Sequence, residues 1–347
     1  MKLLYLANLR LPTEKAYGIQ ITKTCEALSK LTEVELIAPY RRNTQESSFL
    51  ITRIPAPDFY LSGRLDVLAV AVKDFISGFL LALYAFRKNG IIYSRDEWPL
   101  VFLAPFRKVV FEAHKFSKWR KPFYFWFWLW RVKLVCISSA LRREFISFYH
   151  SLTPHGQKLN PILVAHSGVD IDKTRSGWKS TKPRVTYTGS LGKEKGVEVV
   201  AQATKDLDVE TWVVGGSIEE VLTLKKNYPH LRTTTHITQE GVREYLVSAD
   251  ILVLPTLSDD TGSPLKMFEY MAARRPIIAS RLAGVTEVLN ETNSVLVPPG
   301  DPVALKEAIQ KVLANKQFAD RIANQAHLDV HAYTWENRAK KILKFIE

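Results

Sequence analysis

One stretch of this 347-residue chain combines residue types able to hold a phosphorylated sugar: Asp260-Thr-Gly-Ser-Pro-Leu-Lys-Met-Phe-Glu-Tyr-Met-Ala-Ala273. It follows the apolar run Ile251-Leu-Val-Leu-Pro255, so the order reads as a buried strand, a short polar loop and a helix opening at Ser263-Pro264. Serine is a favoured helix cap and proline a favoured first helical residue. Lys266 then falls in the first turn, where the helix dipole disfavours a cation unless an anion docks on the free backbone N–H groups. Glu269, three residues on, shares a helix face with it. A lysine that seeks phosphate beside a carboxylate that seeks hydroxyls suits a sugar nucleotide. The plainer alternative is a capped helix with Leu265, Phe268 and Ala272 packed inward and Lys266 and Glu269 solvated.

A second stretch, Thr188-Gly-Ser-Leu-Gly-Lys-Glu-Lys-Gly196, again places lysines (Lys193 and Lys195) before a helix. Gly189, Gly192 and Gly196 allow backbone to approach a ligand closely. Taken alone, it reads at least as well as a solvated turn; it is neither a Walker loop nor a G-x-G-x-x-G fingerprint. Two lysine-bearing helix starts at strand ends would together supply several donors to a diphosphate without a metal ion. His114, in Phe111-Glu-Ala-His114, and Gly18, ending Pro12-Thr-Glu-Lys-Ala-Tyr-Gly18, sit at further strand ends. Each has an equally good local role, a loop hydrogen bond for the histidine and a turn for the glycine. Asp259-Asp260 lacks a third metal ligand nearby, and His327 with His331 reads as a surface pair near a helix end.

These residues are positioned by an alternation of short β-rich runs and longer helical patterns. In the first half the runs are Lys2–Ala7, Val34–Ala38, Ile91–Ser94, Val109–Glu112, Leu134–Ile137 and Ile162–Ala165. In the second they are Arg184–Tyr187, Glu210–Val214, Arg232–His236, Ile251–Leu254, Pro276–Ala279 and Val295–Val297. Helical spacing is clearest at Ile19–Leu31, Ala140–Phe148, Val197–Leu207, Gly241–Ser248 and Pro302–Leu313. Such alternation specifies an α/β protein with parallel sheets covered by helices. Two series predict two Rossmann-like domains facing a central cleft, 1–167 and 168–332, joined through the polar linker Gly168–Pro183. The final helix, 333–347, spaces Trp335, Ala339, Ile342 and Ile346 on one face and could cap either domain.

Composition sets the outer limits. The hydrophobic fraction of 46% and charged fraction of 24% belong to a folded globular protein. The net charge of +13 invites nucleic acid, anionic membrane or a phosphorylated ligand. Two cysteines, Cys25 and Cys136, exclude a disulfide framework. The opening Met1-Lys-Leu-Leu-Tyr-Leu-Ala-Asn8 turns polar too soon for a signal peptide and reads as a first strand, so a cytoplasmic location is expected. Residues 66–86 are mostly apolar, but Lys73 and Asp74 interrupt them, which favours a buried amphipathic helix over a membrane span. Between Arg107 and Lys133 stand eight Lys/Arg against one acid, Glu112, and Trp119–Trp130 carries four of the eight tryptophans. That segment is either a helix packed on the sheet or a peripheral contact with an anionic membrane. It forms no recognised nucleic-acid module, so nucleic acid is not the expected partner.

The order Thr188-Gly-Ser-Leu…Lys195-Gly, Val214-Gly-Gly216, Ala249-Asp-Ile-Leu-Val-Leu-Pro255 and Gly262-Ser-Pro-Leu-Lys-Met-Phe-Glu-Tyr-Met-Ala272…Arg275-Pro-Ile-Ile-Ala279 resembles the group 1 glycosyltransferases, family 4. Gly18, Glu112-Ala-His114, Ile137-Ser-Ser139 and Ser167-Gly-Val-Asp170 match more loosely. The resemblance implies the GT-B architecture and retaining, metal-independent transfer from a nucleotide-diphosphate sugar to an acceptor hydroxyl, without a cofactor. It implies that Glu269 holds the donor ribose and Lys195 a phosphate, and that Gly262, Ser263 and Leu265 present backbone to the diphosphate or sugar. By the same resemblance His114 lies near the transferred sugar, Ile237 near the nucleobase, and the helix 333–347 crosses back onto the first domain. Three positions depart from the pattern. Thr261 stands where the first glutamate of a pair is expected, Ser190 where a phosphate-binding arginine is expected, and Tyr17-Gly18 where a glycine pair is expected. Lys266, within Ser-Pro-Leu-Lys, could replace the missing arginine's charge.

The expected function is a glycosyltransferase of cell-surface glycan or glycolipid synthesis, taking a nucleotide-sugar donor and a glycan or lipid-linked acceptor, peripheral to the inner face of the plasma membrane. Two alternatives stand beside it: a sugar-nucleotide epimerase on the same architecture, and a non-catalytic nucleotide-binding or partner subunit, suggested by Thr261 and Ser190.

Overall fold

The structure, a computed structural model, describes residues 1–13, 15–41, 49–59, 65–154, 158–171, 177–178, 180–258 and 265–347. The proposed helix cap Ser263-Pro264, the Asp259-Asp260 pair and the site positions Thr261 and Gly262 lie outside these residues. The chain divides into two compact units, Met1–Gly168 with Trp335–Glu347, and Val169–Thr334.

Unit 1 contains seven strands: β1 (Lys2–Leu6), β2 (Glu33–Pro39), β3 (Ile51–Ile54), β4 (Ile91–Ser94), β5 (Val109–Ala113), β6 (Lys133–Cys136) and β7 (Ile162–Val164). They form one parallel sheet in the order β3-β2-β1-β4-β5-β6-β7. Its helices are α1 (Ala16–Ser29), α2 (Leu65–Phe86), α3 (Glu97–Leu103), α4 (Lys121–Leu129) and α5 (Ser139–Leu152). The central strands β1, β4, β5 and β6 are almost wholly buried, as expected of parallel strands covered on both faces. Cys136 is one of these buried residues.

Unit 2 repeats the plan with β8 (Arg184–Thr188), β9 (Glu210–Val214), β10 (Arg232–Thr234), β11 (Ile251–Leu254), β12 (Ile277–Ser280) and β13 (Val295–Val297). Their parallel order is β10-β9-β8-β11-β12-β13. The helices are α6 (Val197–Thr204), α7 (Ile218–Asn227), α8 (Gln239–Ser248), α9 (Leu265–Ala272), α10 (Ala283–Thr286), α11 (Pro302–Ala314) and α12 (Lys316–Asp329). The chain then returns to unit 1 in α13 (Trp335–Ile346), whose Trp335, Ala339, Ile342 and Ile346 are buried and which packs on α1.

Four sequence readings need correction. The edge strand β3 was not expected, because Ile51-Thr-Arg-Ile54 is short and mixes polar with apolar residues. Helix α1 begins at Ala16, so Gly18 lies inside its first turn rather than before it. Strand β10 ends at Thr234, leaving Ile237 three residues beyond it. Finally, α2 is not a buried helix. Its inner side is buried through Ala69, Leu81, Ala82 and Ala85, but Val72, Phe75, Phe79, Leu83 and Phe86 form an exposed stripe at helical spacing. By length and composition Ala69–Phe86 could cross a membrane. Yet it packs on α3, and its Lys73 and Ser77 are buried, Ser77 accepting a hydrogen bond from Arg41 at 3.0 Å.

Candidate functional site

In an open parallel sheet, ligands bind beyond the carboxyl ends of strands, at the point where strand order reverses. In unit 2 that point lies between β8 and β11, which are hydrogen-bonded neighbours. The two lysine-bearing stretches leave these two strands, so the topology sets them side by side.

Gly189 and Lys266 make a close junction between them. Gly189 has φ +137°, and a Cβ built there would fall 1.2 Å from Lys266 Nζ. The ammonium therefore occupies the volume that any side chain at 189 would need, directly beside Ser190. Lys266 Nζ also donates to the Tyr187 hydroxyl at 3.3 Å and lies 4.8 Å from that ring's centre. Tyr187 in turn donates to the Ser190 carbonyl at 2.7 Å, and the Thr188 N–H donates to the Tyr270 hydroxyl at 2.9 Å. Burial pushes both phenols up, Tyr270 to about 12, so they remain neutral props for the loop. The rest of the loop is fastened to the exit of β11. The Leu257 N–H donates to the Glu194 carbonyl at 2.9 Å. Gly196, at φ +70°, sits where a Cβ would meet the Pro255 carbonyl oxygen at 2.0 Å.

The electrostatics fit an anion site. Burial lowers the Lys266 ammonium to about 8, with Glu269 opposing the shift and Lys195 adding to it. Burial raises the Glu269 carboxyl against the charges of Lys266 and Arg243. Neither side chain is solvated as a plain surface pair would be, and Leu265 is only half-buried, the inward residues being Met267, Phe268, Tyr270 and Met271. Lys195, in a 3-10 turn before α6, is partly exposed and 3.4 Å from Glu194. Ser190 is exposed, and Ile237 is half-buried beside Gly241.

The first unit gathers a second constellation at the ends of β1, β4 and β5, adjacent strands in its sheet. Glu112, 1% exposed, accepts from His114 Nε2 at 2.7 Å and from the Tyr93 hydroxyl, and pairs with Arg338 of α13 at 2.8 Å. Burial alone would raise the Glu112 carboxyl. The Arg338 charge and the hydrogen bonds from His114 and Tyr93 outweigh that and hold it well below the usual carboxylate range. Burial, with the charge of Arg95, lowers His114 to about 4, so the imidazole is neutral at pH 7. Asp96, two residues beyond β4, is raised by burial to about 6 and accepts from the Asn8 N–H at 2.5 Å. Gly18 belongs to its own turn, where a Cβ would meet Thr13 Cγ2 at 2.3 Å.

Unit 2 therefore brings Gly189, Ser190, Lys195, Lys266 and Glu269 to one sheet end, with Leu265 opening the same helix as Lys266. His114 and Gly18 belong to unit 1, and Ile237 lies off the β10 end. Sequence reasoning missed Tyr187, Tyr270, Tyr93, Arg95 and Arg338. Only Arg338 left a signal, being a charge on the buried face of an otherwise apolar helical stripe. His327 and His331 stack edge to face with ring centres 5.3 Å apart. Among the described residues no group of three or more His, Cys, Asp or Glu side chains could hold a metal ion.

Comparison with solved structures bears out the architecture. Sucrose-phosphate synthase from Thermosynechococcus elongatus superposes with a TM-score of 0.80 at 16% identity, covering 99% of this chain and 97% of that one. HepE of Anabaena, solved in complex with UDP-glucose, gives 0.74 at 15% identity, covering 99% and 98%. The fold is that of the GT-B glycosyltransferases: two parallel sheets, each flanked by helices. Residues 182–315 match the family described as glycosyl transferases group 1. Among curated relatives, TuaC of Bacillus subtilis, named for teichuronic acid biosynthesis, is 26% identical over 205 residues, 57% of this chain and 51% of that protein. Phosphatidyl-myo-inositol mannosyltransferase of Mycobacterium leprae is 27% identical over 195 residues, 52% of each. The matched region thus spans about half the length of these curated relatives.

Proposed function

We propose that this protein is a retaining, metal-independent glycosyltransferase that moves a sugar from a nucleotide-diphosphate donor to an acceptor hydroxyl in glycan or glycolipid synthesis. The observation that carries the reading is the Lys266 ammonium seated against Gly189, with Lys195 on the facing loop. A diphosphate docked there would meet Lys266, Lys195 and the backbone at the starts of α6 and α9, and Glu269 would be left for a ribose hydroxyl. Lys266 supplies charge beside Ser190, where the family resemblance expects arginine. The roles of Thr261, Gly262, Ser263, Leu265 and Ile237 toward donor, and of His114 and Gly18 toward sugar and phosphates, are carried by that resemblance alone. The same charges would stabilise the leaving diphosphate. In the front-face route we infer, the anomeric carbon–phosphate oxygen bond breaks and the carbon–acceptor oxygen bond forms. The acceptor's proton passes to the departing phosphate.

The acceptor side of the reading is a membrane. The exposed stripe of α2 continues through edge-to-face contacts, Phe75 with Trp98 at 5.0 Å and Trp98 with Phe123 at 4.8 Å, to the exposed Phe125, Leu129 and Trp130 of the α4 segment. Trp119 is 93% exposed beside Lys118, Arg120 and Lys121. Aromatic and aliphatic side chains rimmed by cations fit the interface of an anionic bilayer, which favours a lipid-linked acceptor at the inner face of the plasma membrane. The test is a screen of sugar nucleotides with and without lipid-linked acceptors, reading nucleoside diphosphate release and the anomeric configuration of the product. Acceptor-dependent release with retention supports the proposal. Donor isomerisation without acceptor would instead mark an epimerase, and nucleotide binding without release a non-catalytic subunit.

A further inference from the structure

We propose that Arg338 of α13 is a positioning residue that, through the buried Glu112 carboxylate, fixes His114 as the Nε2–H tautomer and leaves Nδ1 as the accepting nitrogen. Glu112 is the only acid between Arg107 and Lys133 and is buried beneath the sheet end, where an isolated carboxylate would lose its charge. Arg338, 3% exposed, brings a guanidinium to 2.8 Å from its Oε1 and donates to the carbonyls of Ala165 and His166, the latter at 3.1 Å. With its charge kept, Glu112 can only accept, so the His114 nitrogen 2.7 Å away must be the donor. No partner of Nδ1 is found among the described contacts, and the His114 side chain is 18% exposed.

The charges facing His114 act in one direction. Arg95 from the end of β4 and Arg338 from α13 both oppose protonation, and Glu112 favours it. Tyr93 and Tyr5, both buried and neutral, lie by Glu112 and Arg338. Arg338 thus stabilises the negative charge on Glu112 while denying His114 a proton. Lacking it, the His114–Glu112 pair would take up a proton nearer neutrality, as imidazolium or as a carboxylic acid. The ring would then no longer present one fixed lone pair. The consequence for sugar transfer rests on the transferase reading above; the tautomer does not.

Nitrogen NMR of the full, ligand-free chain with labelled histidine tests this, His114 being identified by the signal lost in His114→Gln. At pH 7 one protonated and one unprotonated ring nitrogen are expected, with Nε2 protonated and no change until the pH approaches about 4. In Arg338→Met the pH at which these signals move should rise by about one to three units, the shift typical of losing a nearby charge. Arg338→Lys should restore it. Arg338→Gln, which keeps donors for the two carbonyls and drops the charge, is read as Arg338→Met is and serves where that variant does not fold. An Nδ1–H tautomer or an imidazolium in the unsubstituted protein at pH 7 overturns the proposal, and so does a folded charge-less variant with an unmoved midpoint. Where transfer is measurable, kcat of Arg338→Gln should recover as pH rises through the new midpoint. A purely structural loss would be flat with pH.

Discussion

Lys266 makes a prediction that couples ligand affinity, pH and stability. In the ligand-free protein its ammonium titrates at about 8, so about nine-tenths is charged at pH 7 and about one-tenth at pH 9. A diphosphate docking on the charged form should therefore bind about tenfold more weakly at pH 9 than at pH 7. The ligand's own last phosphate ionisation, near pH 6, lies outside that window. Isothermal titration with UDP, GDP and ADP from pH 6.5 to 9.5 would measure it. Lys266→Met should lose about 10- to 150-fold in affinity at pH 7, the worth of one charge-assisted hydrogen bond, and lose the pH dependence with it. The stability effect has the opposite sign. The folded-state value lies below the ordinary 10.5, so the unfolded chain binds more protons between about 8 and 10.5. Stability of the free protein should rise with pH across that window, the full cost being present below it. Lys266→Met, free of that cost, should be more stable at pH 7 by on the order of 3 kcal/mol in urea. A flat affinity from pH 7 to 9 for the nucleotide that binds, or a Met variant that binds as tightly as lysine, would refute the reasoning.

Other substitutions separate the remaining roles. Gly189→Ala must adopt φ +137° and displace the Lys266 ammonium; a loss of about 1–3 kcal/mol in denaturant unfolding is expected, with nucleotide affinity falling alongside. Glu112→Gln leaves the buried Arg338 without its counter-charge, so a loss of about 3–5 kcal/mol is expected. Because the Glu112 carboxyl is held below its ordinary 4.5, that deficit should be constant from pH 5 to 8 and shrink as the pH falls below 4, which an acid titration monitored by circular dichroism would register. For the membrane surface, Trp119→Ala with Trp130→Ala should cut pelleting on vesicles rich in phosphatidylglycerol by about tenfold or more while leaving the melting temperature unchanged. Added salt should weaken pelleting of the unsubstituted protein, and salt-insensitive binding equal to that on neutral vesicles would remove the charge argument.

The repeated strand–helix alternation was legible because parallel strands buried on both faces read as short continuous apolar runs. β3 was not, since an edge strand with Thr52 and Arg53 lacks such a run. The α2 stripe was hidden for a related reason: a helix apolar on most sides does not reveal which side meets the sheet. Lys266 and Glu269 were readable as an odd pair at a helix start. Their burial, and the seat of the ammonium against Gly189, depend on two strands brought together by topology. The same limit applied to Arg338, whose partner lies more than two hundred residues away in sequence. Tyr187 and Tyr270 gave no local hint, because a tyrosine in a strand or an amphipathic helix is ordinary core.

The division of unit 1 into two segments also bears on how the chain folds. Unit 2 is one continuous stretch and can form as soon as it is synthesised, whereas the first sheet must wait until the whole of unit 2 has emerged before α13 docks. In that interval Glu112 is covered by its sheet without the Arg338 guanidinium, and the face of α1 that packs against α13 lacks its helix. The nascent first unit should therefore resemble a partly closed intermediate, protected at its strands yet exchanging readily around α1, until docking of α13 locks it in a late step. Loop closure over so long a span adds only a modest entropic penalty, since that cost grows with the logarithm of length. Interrupted synthesis, or a stop codon before residue 335, should leave unit 2 intact and unit 1 open to proteolysis.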